Sequence, residues 1–545
     1  MIFAAAELPA TGDVRLVGAG VDYAGPLAGF LAALAGVEKS AKRQTVRVWI
    51  ADLDQAYRRL VAEGVSISPA ALRFGVSGLG SISLTGKTRL ISPETMVPAG
   101  VDLTGDASEL LDVTGRIQAA VSDCLGVGYA ASLGRMAQEG CALFGPRWSY
   151  PEPQGGPITT AAREAMHGGL VQVWHESEAL AVAGVEVPRE WIGEPERLPE
   201  GWAIFDEDRS SAYAAEAAKP LPAVHTARYG RADCAGGALI EATVDLDAWA
   251  GVAFPVRVAA GREFVQIAAD RGVWRGTWAS PVLEYAAARG AKVTIHAAQG
   301  WKVADRYLAE GMGRLFGAKQ GHARGTPERS GLTAAMQRGI GRLARRVPAE
   351  AVWNTADLMS MDRPALEAAG VVAELGRLNG WSLMRLTQSE EVPRGACPVW
   401  PAFVVARAWV SLCERIEAVK AAGGRPLYCD TDGLLWAGPA GVDLPKGEAA
   451  GEWQNRGRPA WVWCERAKLY VRGEGQKILQ AASSGIPKAD LVWYLEGGGA
   501  PRRLQSIREQ AAARQTEPKE IESWAKRKRE RAGRAPPKLP RRLRG

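Results

Sequence analysis

Two aspartates, Asp430 and Asp432, stand in the stretch Pro426-Leu427-Tyr428-Cys429-Asp430-Thr431-Asp432-Gly433-Leu434-Leu435-Trp436. Apolar runs flank the Asp-Thr-Asp-Gly core, and Asp-Gly between such runs signals a β-hairpin with carboxylates at its tip. Two residues apart in an extended chain, both side chains leave the same face, close enough to share a divalent cation. An ordinary solvated turn uses the same residue types, so a metal reading needs company from elsewhere. One hairpin cannot surround two ions, which calls for carboxylates from a second segment. The best partner is Ala203-Ile204-Phe205-Asp206-Glu207-Asp208-Arg209-Ser210-Ser211-Ala212-Tyr213. Here an apolar strand ends in acid and serines open a helix, whose free backbone N–H groups favour phosphate, so the segment could seat a metal–triphosphate. An acidic surface turn with an N-cap serine is the alternative. Asp206 shares a face with Asp208 and is the second choice of carboxylate there.

The elements that must position these groups are legible in outline. Trp400 to Ala422 reads as a long helix with apolar positions at Phe403, Val404, Trp409, Val410, Leu412, Ile416 and Val419, ending at Gly423-Gly424 and feeding the hairpin. Residues 238–304 follow a strand, helix, strand pattern, with a strand at Leu239–Leu246, a helix at Ser280–Arg289 and a strand at Val293–His296. Residues 303–346 read as a helical pair interrupted at Gly321–Pro327, and Ala460–Val471 as one extended segment. Residues 1–150 form a small α/β unit with strands at Val14–Val17 and Val46–Ile50, a helix from Asp54 to Glu63 and another from Ala107 to Val121. The Pro- and Gly-rich run 145–160 marks a boundary.

At 545 residues the chain exceeds one core, and 47% hydrophobic with 23% charged residues describes an ordinary globular protein. Seven cysteines without a CxxC pair argue against a structural zinc site or a disulfide framework, and a reducing cytoplasm is the expectation. No apolar run long enough to span a bilayer is present, so no membrane partner is expected. The net charge of +7 is uneven: residues 501–545 hold 15 Lys and Arg against 5 Asp and Glu, while residues 1–500 hold 52 against 55. A basic, Pro-broken tail of this kind neutralises nucleic-acid phosphates, with strong salt dependence.

Asp208-x-x-Ser211-Ala212-Tyr213 resembles motif A (DxxSLYP) of family B DNA polymerases, and Tyr428-Cys429-Asp430-Thr431-Asp432-Gly433 resembles their motif C (YxDTDS). Between them, residues 274–301 resemble the palm segment that follows motif A. Downstream, Lys468-Leu469-Tyr470 resembles the KxY motif, and upstream Met166-His167-Gly168-Gly169 is similar to YxGG with Met in place of Tyr. Five weak motifs in the right order, spanning about 165 to 490, carry the resemblance.

The resemblance implies an α/β (α+β) right-hand polymerase with an antiparallel palm, helical fingers, a small thumb and an N-terminal exonuclease-like (RNase H-like) domain. Its implied boundaries are 1–150 for a degenerate 3′–5′ exonuclease-like domain, 151–201 for a linker, 202–304 and 348–472 for the palm, 305–347 for the fingers, 473–512 for the thumb and 513–545 for a disordered basic tail. The compactness is similar to the protein-primed branch of phages and linear plasmids, and 341–398 leaves room for that branch's extra element. The implied activity is template-directed DNA synthesis from dNTPs on a DNA primer-template, with two Mg²⁺ or Mn²⁺ ions and a priming terminal protein as a partner.

Asp208 and Asp430 would bind the ions with Asp432 beside them. Ser211, Ala212 and Tyr213 would meet the nucleotide, while Gly168, Gly169, Tyr428, Thr431, Lys468 and Tyr470 would meet DNA. In the motif B candidate Thr333 stands where lysine is usual and Gln337 where asparagine is, so Lys319 or Arg329 would have to supply the triphosphate's cation alongside Gln337. Of the exonuclease carboxylates only Glu7 and Asp54 have counterparts, which makes the first domain a scaffold or strand guide rather than a nuclease. A catalytically impaired nucleic-acid-binding descendant, and a template-independent nucleotidyltransferase or primase-like enzyme, stay open as alternatives.

Overall fold

The computed structural model describes residues 2–483 apart from short segments, among them 102–105, 175–177, 189–193, 347–349, 387–390 and 467–468, and beyond 483 only 502–504 and 520–522. The chain forms two compact units, one built mainly from Met1–Gly145 and Leu308–Arg394, the other mainly from Pro146–Tyr307 and Gly395–Arg503. No described helix is long and apolar enough to cross a membrane.

The first unit is organised by a seven-stranded sheet in the order Val21–Gly25, Val14–Gly18, Ile2–Glu7, Val46–Ile50, Thr88–Ile91, Leu79–Ser83, Leu72–Phe74. Ile2–Glu7 pairs parallel with Val46–Ile50, which pairs parallel with Thr88–Ile91, and the outer strands are antiparallel. Helices Leu27–Ser40 and Leu53–Ala62 bury Phe30, Leu34, Ala56 and Leu60 against Ala4, Ala6, Leu16 and Val48. Ala5 and Trp49, out of phase with those strand residues, are buried on the opposite face.

The helical pair expected over 303–346 is present as Ala309–Gln320 and Pro327–Leu343 and belongs to this unit, packed on Ala107–Leu125 and Leu133–Phe144. The crossing is close: a Cβ on Gly134 would stand 2.8 Å from the Arg338 carbonyl oxygen, and one on Gly339 2.9 Å from the Ala137 Cβ. A three-stranded sheet, Glu350–Asn354, Trp381–Leu386 and Val371–Leu378, completes the unit.

At the heart of the second unit is an antiparallel five-stranded sheet in the order Trp453–Gly457, Trp202–Arg209, Gly433–Pro439, Arg425–Asp430, Val171–Val173. Alternation along Trp202–Arg209 divides its side chains between two faces. Phe205 stacks on Trp436 with centroids 3.9 Å apart, and fully buried Glu207 pairs with Arg415 of the long helix Val399–Ala421 at 2.8 Å. On the other face Ile204 joins Leu427, Leu435, Ala437, Leu180 and Val462 in a core, and Asp206 and Asp208 share that face. The first half of the long helix is fixed by Trp400 Nε1 donating to the Pro222 carbonyl (2.9 Å) and Trp409 Nε1 to that of Ala253 (3.2 Å).

Beside it, Glu196–Arg197, Glu178–Ala181, Trp461–Arg466, Leu469–Glu474 and Lys477–Ser483 form a second five-stranded sheet. The single extended segment expected at Ala460–Val471 is thus two antiparallel strands, with Trp461 opposite Gly473 and Cys464 opposite Tyr470. A four-stranded sheet holds Ala227–Tyr229, Lys292–Trp301, Ala238–Asp245 and Val273–Ala279, and a further hairpin pairs Phe254–Ala260 with Glu263–Ala269.

Candidate active site

Asp208 ends its strand directly opposite Gly433, and Asp430 is opposite Gly433 from the other side. The three residues form one row across three strands, so the carboxylates of Asp208 and Asp430 leave the same face with a side-chain-free position between them. A Cβ built on Gly433 would stand 3.8 Å from Asp208 Oδ1. Convergence of two distant segments is what the spacing of residues alone could not establish.

The hairpin differs in detail from expectation. Asp430 pairs with Gly433, so the turn residues are Thr431 and Asp432, and Thr431 takes the left-handed conformation with φ 64°. The turn breaks the extended chain, and the alternation that would put Asp430 and Asp432 on one face does not operate. A β-branched residue at positive φ is strained, and tertiary contacts hold it there. The Thr431 amide donates to the Leu170 carbonyl at 2.7 Å and its hydroxyl to Asp430 Oδ1 at 3.1 Å. Tyr428, buried in the core, donates its hydroxyl to Asp430 Oδ2 at 3.2 Å, and the Arg209 amide donates to the Asp432 carbonyl at 2.7 Å.

Gly169 is part of this support. A Cβ there would meet the Thr431 Oγ1 at 2.5 Å, whereas one on Gly433 meets nothing closer than 3.7 Å. Gly169→Ala is expected to displace the hairpin tip and cost about 1–3 kcal/mol. Gly433→Ala is expected to be near neutral, and denaturant titration of the two variants checks the contrast.

Burial, then the negative charges of Asp208 and Asp430, push the Asp432 carboxyl up to about 7 against the pull of Arg456. Burial also raises the hydroxyl of Tyr213, on the helix Ala212–Ala218, to about 12, with the Asp432 and Asp430 charges adding to it. Tyr470 is likewise raised to about 12, chiefly by burial, and its ring lies 4.9 Å from that of Tyr428. Between the unfolded value of 3.8 and about 7 the folded protein holds an extra proton on Asp432. Its metal-free stability therefore falls as pH rises through that window and levels off above it. Asp432→Asn should melt with the wild type near the bottom of the window and above it at pH values past the top, measured with a chelator present.

Several groups in the site have no counterpart among the sequence expectations. Arg472 is ion-paired with Asp206, the second choice of carboxylate, whose register partner is Leu435 rather than the hairpin end. Arg209 pairs with Glu216 at 2.5 Å and donates to the Gly451 carbonyl at 2.8 Å, fixing the strand-to-helix corner where Ser211 has φ 48°. Arg456 reaches Asp208 Oδ2 at 2.7 Å. His167, next to Gly168, is buried with Nε2 3.3 Å from the Thr277 carbonyl, and burial lowers its pKa to about 4.

The remaining expected site residues lie as follows. Ser211 and Ala212 open the helix that carries Tyr213. Lys468 lies outside the described residues. Lys319, Arg329 and Gln337 belong to the first unit. Arg329 donates to the carbonyls of Lys319 (2.9 Å) and His322 (2.7 Å), closing the end of the Ala309–Gln320 helix. Lys319 stands 5.6 Å over the Phe316 ring, and Gln337 is exposed. Glu7 is exposed at its strand end, and Asp54 accepts the Leu79 amide at 2.9 Å.

Among the described residues no three His, Cys, Asp or Glu side chains form a ready-made metal cage. The row still fits a hard divalent ion. Its donors are all oxygen, its two carboxylates share one face on either side of Gly433, and Mg²⁺ is ordinarily held by one or two carboxylates together with substrate phosphates.

Comparison with solved structures places the chain in the fold class of DNA polymerases. More particularly, the fold is that of phi29 DNA polymerase. Its ternary complex with primer-template DNA and incoming nucleotide matches with a TM-score of 0.63 at 11% identity, covering 95% of this chain and 100% of that one. The post-translocation complex with primer-template DNA matches at 0.60 and 12% identity over 92% of this chain and 96% of that one. The complex with single-stranded DNA gives 0.60 at 10% identity over the same shares. Neither a family model nor a curated protein sequence matches the chain.

Proposed function

We propose that the chain is a template-directed DNA polymerase that transfers a nucleotidyl group from a dNTP to a primer 3′-hydroxyl, in the manner of family B enzymes. The observation that carries this reading is the row Asp208, Gly433, Asp430, two carboxylates from segments more than two hundred residues apart brought to one face at the tip of a hairpin. In the reaction the 3′-oxygen attacks the α-phosphorus, the bond to the pyrophosphate oxygen breaks, and the hydroxyl proton leaves. Divalent ions, Mg²⁺ or Mn²⁺, held by Asp208 and Asp430 with Asp432 beside them, would lower the pKa of that hydroxyl and neutralise the triphosphate.

Residues of the chain supply the positioning. Tyr428 and Thr431 fix the orientation of Asp430. Tyr213 would be the surface on which an incoming sugar rests, and Ser211 and Ala212, at the start of the same helix, would meet the nucleotide. Tyr470 with Lys468 would hold the primer strand, and Gly168 and Gly169 would meet DNA beside the hairpin tip. Residues 1–150 would serve as a degenerate exonuclease-like scaffold, in which Glu7 and Asp54 would be what remains of a metal site. The basic tail would grip phosphates without sequence preference, and a priming terminal protein is the partner that a protein-primed polymerase would need.

A second reading, a nucleic-acid-binding protein of impaired catalysis, is favoured by one observation: Arg329, a candidate triphosphate cation, is engaged with helix-end carbonyls. Extension of a primed template with Mg²⁺ or Mn²⁺ separates the two. Metal-dependent synthesis supports the polymerase, and retained DNA binding with no synthesis under either ion leaves the binding protein.

A further inference from the structure

The strand Trp453–Gly457 runs along the outer edge of the central sheet beside Trp202–Arg209. Their register places Gln454 opposite Asp208 and Asn455 opposite Glu207, but Gly457 opposite Asp206. Arg456 is therefore the extra residue of a β-bulge, a device that bends an edge strand and re-aims a side chain. Two neighbours build it. Gly457 has φ 148°, which L side chains rarely adopt, and its amide donates to the Asn455 side-chain oxygen at 2.9 Å.

The re-aimed side chain crosses to the carboxylate row, where Arg456 Nη2 lies 2.7 Å from Asp208 Oδ2. Asp208 is only 18% exposed and Arg456 50%, so the guanidinium reaches in from the rim over a recessed carboxylate. Oδ1 of the same carboxylate lies on the Gly433 side, 3.8 Å from where a Cβ would be. One oxygen is thus held by the guanidinium and the other lies on the side of Gly433, the residue between Asp208 and Asp430 in the row.

We propose that Arg456 is the built-in counter-charge of the row: a positioning residue that orients Asp208 and lowers the affinity of the site for a divalent cation. The proposal rests on the polymerase reading of Asp208 and Asp430. It assigns the bulge a purpose, since a flat edge strand would leave Arg456 paired in register instead of aimed at Asp208. A unit positive charge a few Å from the seat of a divalent ion opposes binding by on the order of tenfold in a water-like medium.

The test is a titration of the full-length protein with Mn²⁺ at low salt, without DNA or nucleotide, following free Mn²⁺ by electron paramagnetic resonance. Arg456→Gln is expected to bind Mn²⁺ about tenfold more tightly than wild type, by an amount that shrinks as salt is added. Arg456→Lys, which keeps the charge, is expected to keep the wild-type affinity. At saturating Mn²⁺ Arg456→Gln should nonetheless incorporate nucleotide more slowly, and Arg456→Lys should recover part of that loss. Asp208→Asn should weaken Mn²⁺ binding. An Arg456→Gln affinity equal to or below wild type, with Asp208→Asn still weakened, overturns the role of Arg456 alone. Wild-type Mn²⁺ affinity in Asp208→Asn overturns the carboxylate row as the cation site, and the proposal with it.

Discussion

Asp430→Ala should abolish nucleotide incorporation, by on the order of a thousandfold or more, while DNA affinity stays at the wild-type level. Asp430 is half of the row and the one carboxylate that both Tyr428 and Thr431 orient. Its loss removes charge that a divalent ion would need, and no described residue stands ready to replace it, since Asp432 lies in the turn and Asp206 is paired with Arg472. DNA binding draws on phosphate contacts, to which a carboxylate adds only repulsion. Removing Asp430 cannot weaken it by charge. Single-turnover incorporation and a DNA-binding isotherm on the same preparation read the two quantities, and Asp430→Asn should behave as Asp430→Ala does, because the geometry without the charge is insufficient. Unimpaired incorporation in either variant would mean that the wrong carboxylates have been assigned.

Glu207→Ala should be the most destabilising single change in the second unit, at about 3–5 kcal/mol. Glu207 is fully buried and Arg415 is 5% exposed, with Arg415 Nη2 2.8 Å from Glu207 Oε2 and Nε 2.9 Å from it. Truncating the carboxylate strands a guanidinium whose other described contacts are the Pro445 carbonyl at 3.1 Å and the face of the Trp453 ring at 5.3 Å. Replacing both partners with apolar residues of similar volume should recover most of the loss, since a buried pair roughly offsets its own desolvation. Glu207 points to the helix face and Asp208 to the other, so the double variant should retain incorporation. Denaturant midpoints of the single and double variants, with incorporation measured alongside, check both parts.

What was legible in the sequence was whatever local pattern fixes. The apolar runs of Leu427 to Cys429 and Leu434 to Trp436 gave away the hairpin, and the apolar spacing of Trp400 to Ala422 the long helix, which forms as Val399–Ala421. Asp208 and Asp430 were legible because each closes an apolar strand. The turn itself was not, because Thr431 rather than Gly433 takes positive φ, held by the Leu170 carbonyl and by the gap at Gly169, both far away in sequence. Arg456 was hidden for the same reason: its aim is set by a cross-strand register slip, and the only local sign is Asn455 and Gly457 on either side of it. Burial of Glu207 beside two carboxylates of different fate depends on a partner two hundred residues on, which no periodicity reveals. The hairpin Phe254–Ala260 with Glu263–Ala269 is absent from the strand, helix, strand pattern expected over 238–304, although its alternation at Phe254, Val256 and Val258 is present to be read.

The fold likeness and the carboxylate row together make template direction the central claim. Four primed templates that differ only in the first unpaired base, each given the four dNTPs separately with Mg²⁺ or Mn²⁺, test it most directly. The expected result is addition of the complementary nucleotide on each template and its loss in Asp208→Asn and Asp430→Asn. Addition indifferent to the template base, or none on any template while DNA is still bound, would contradict it.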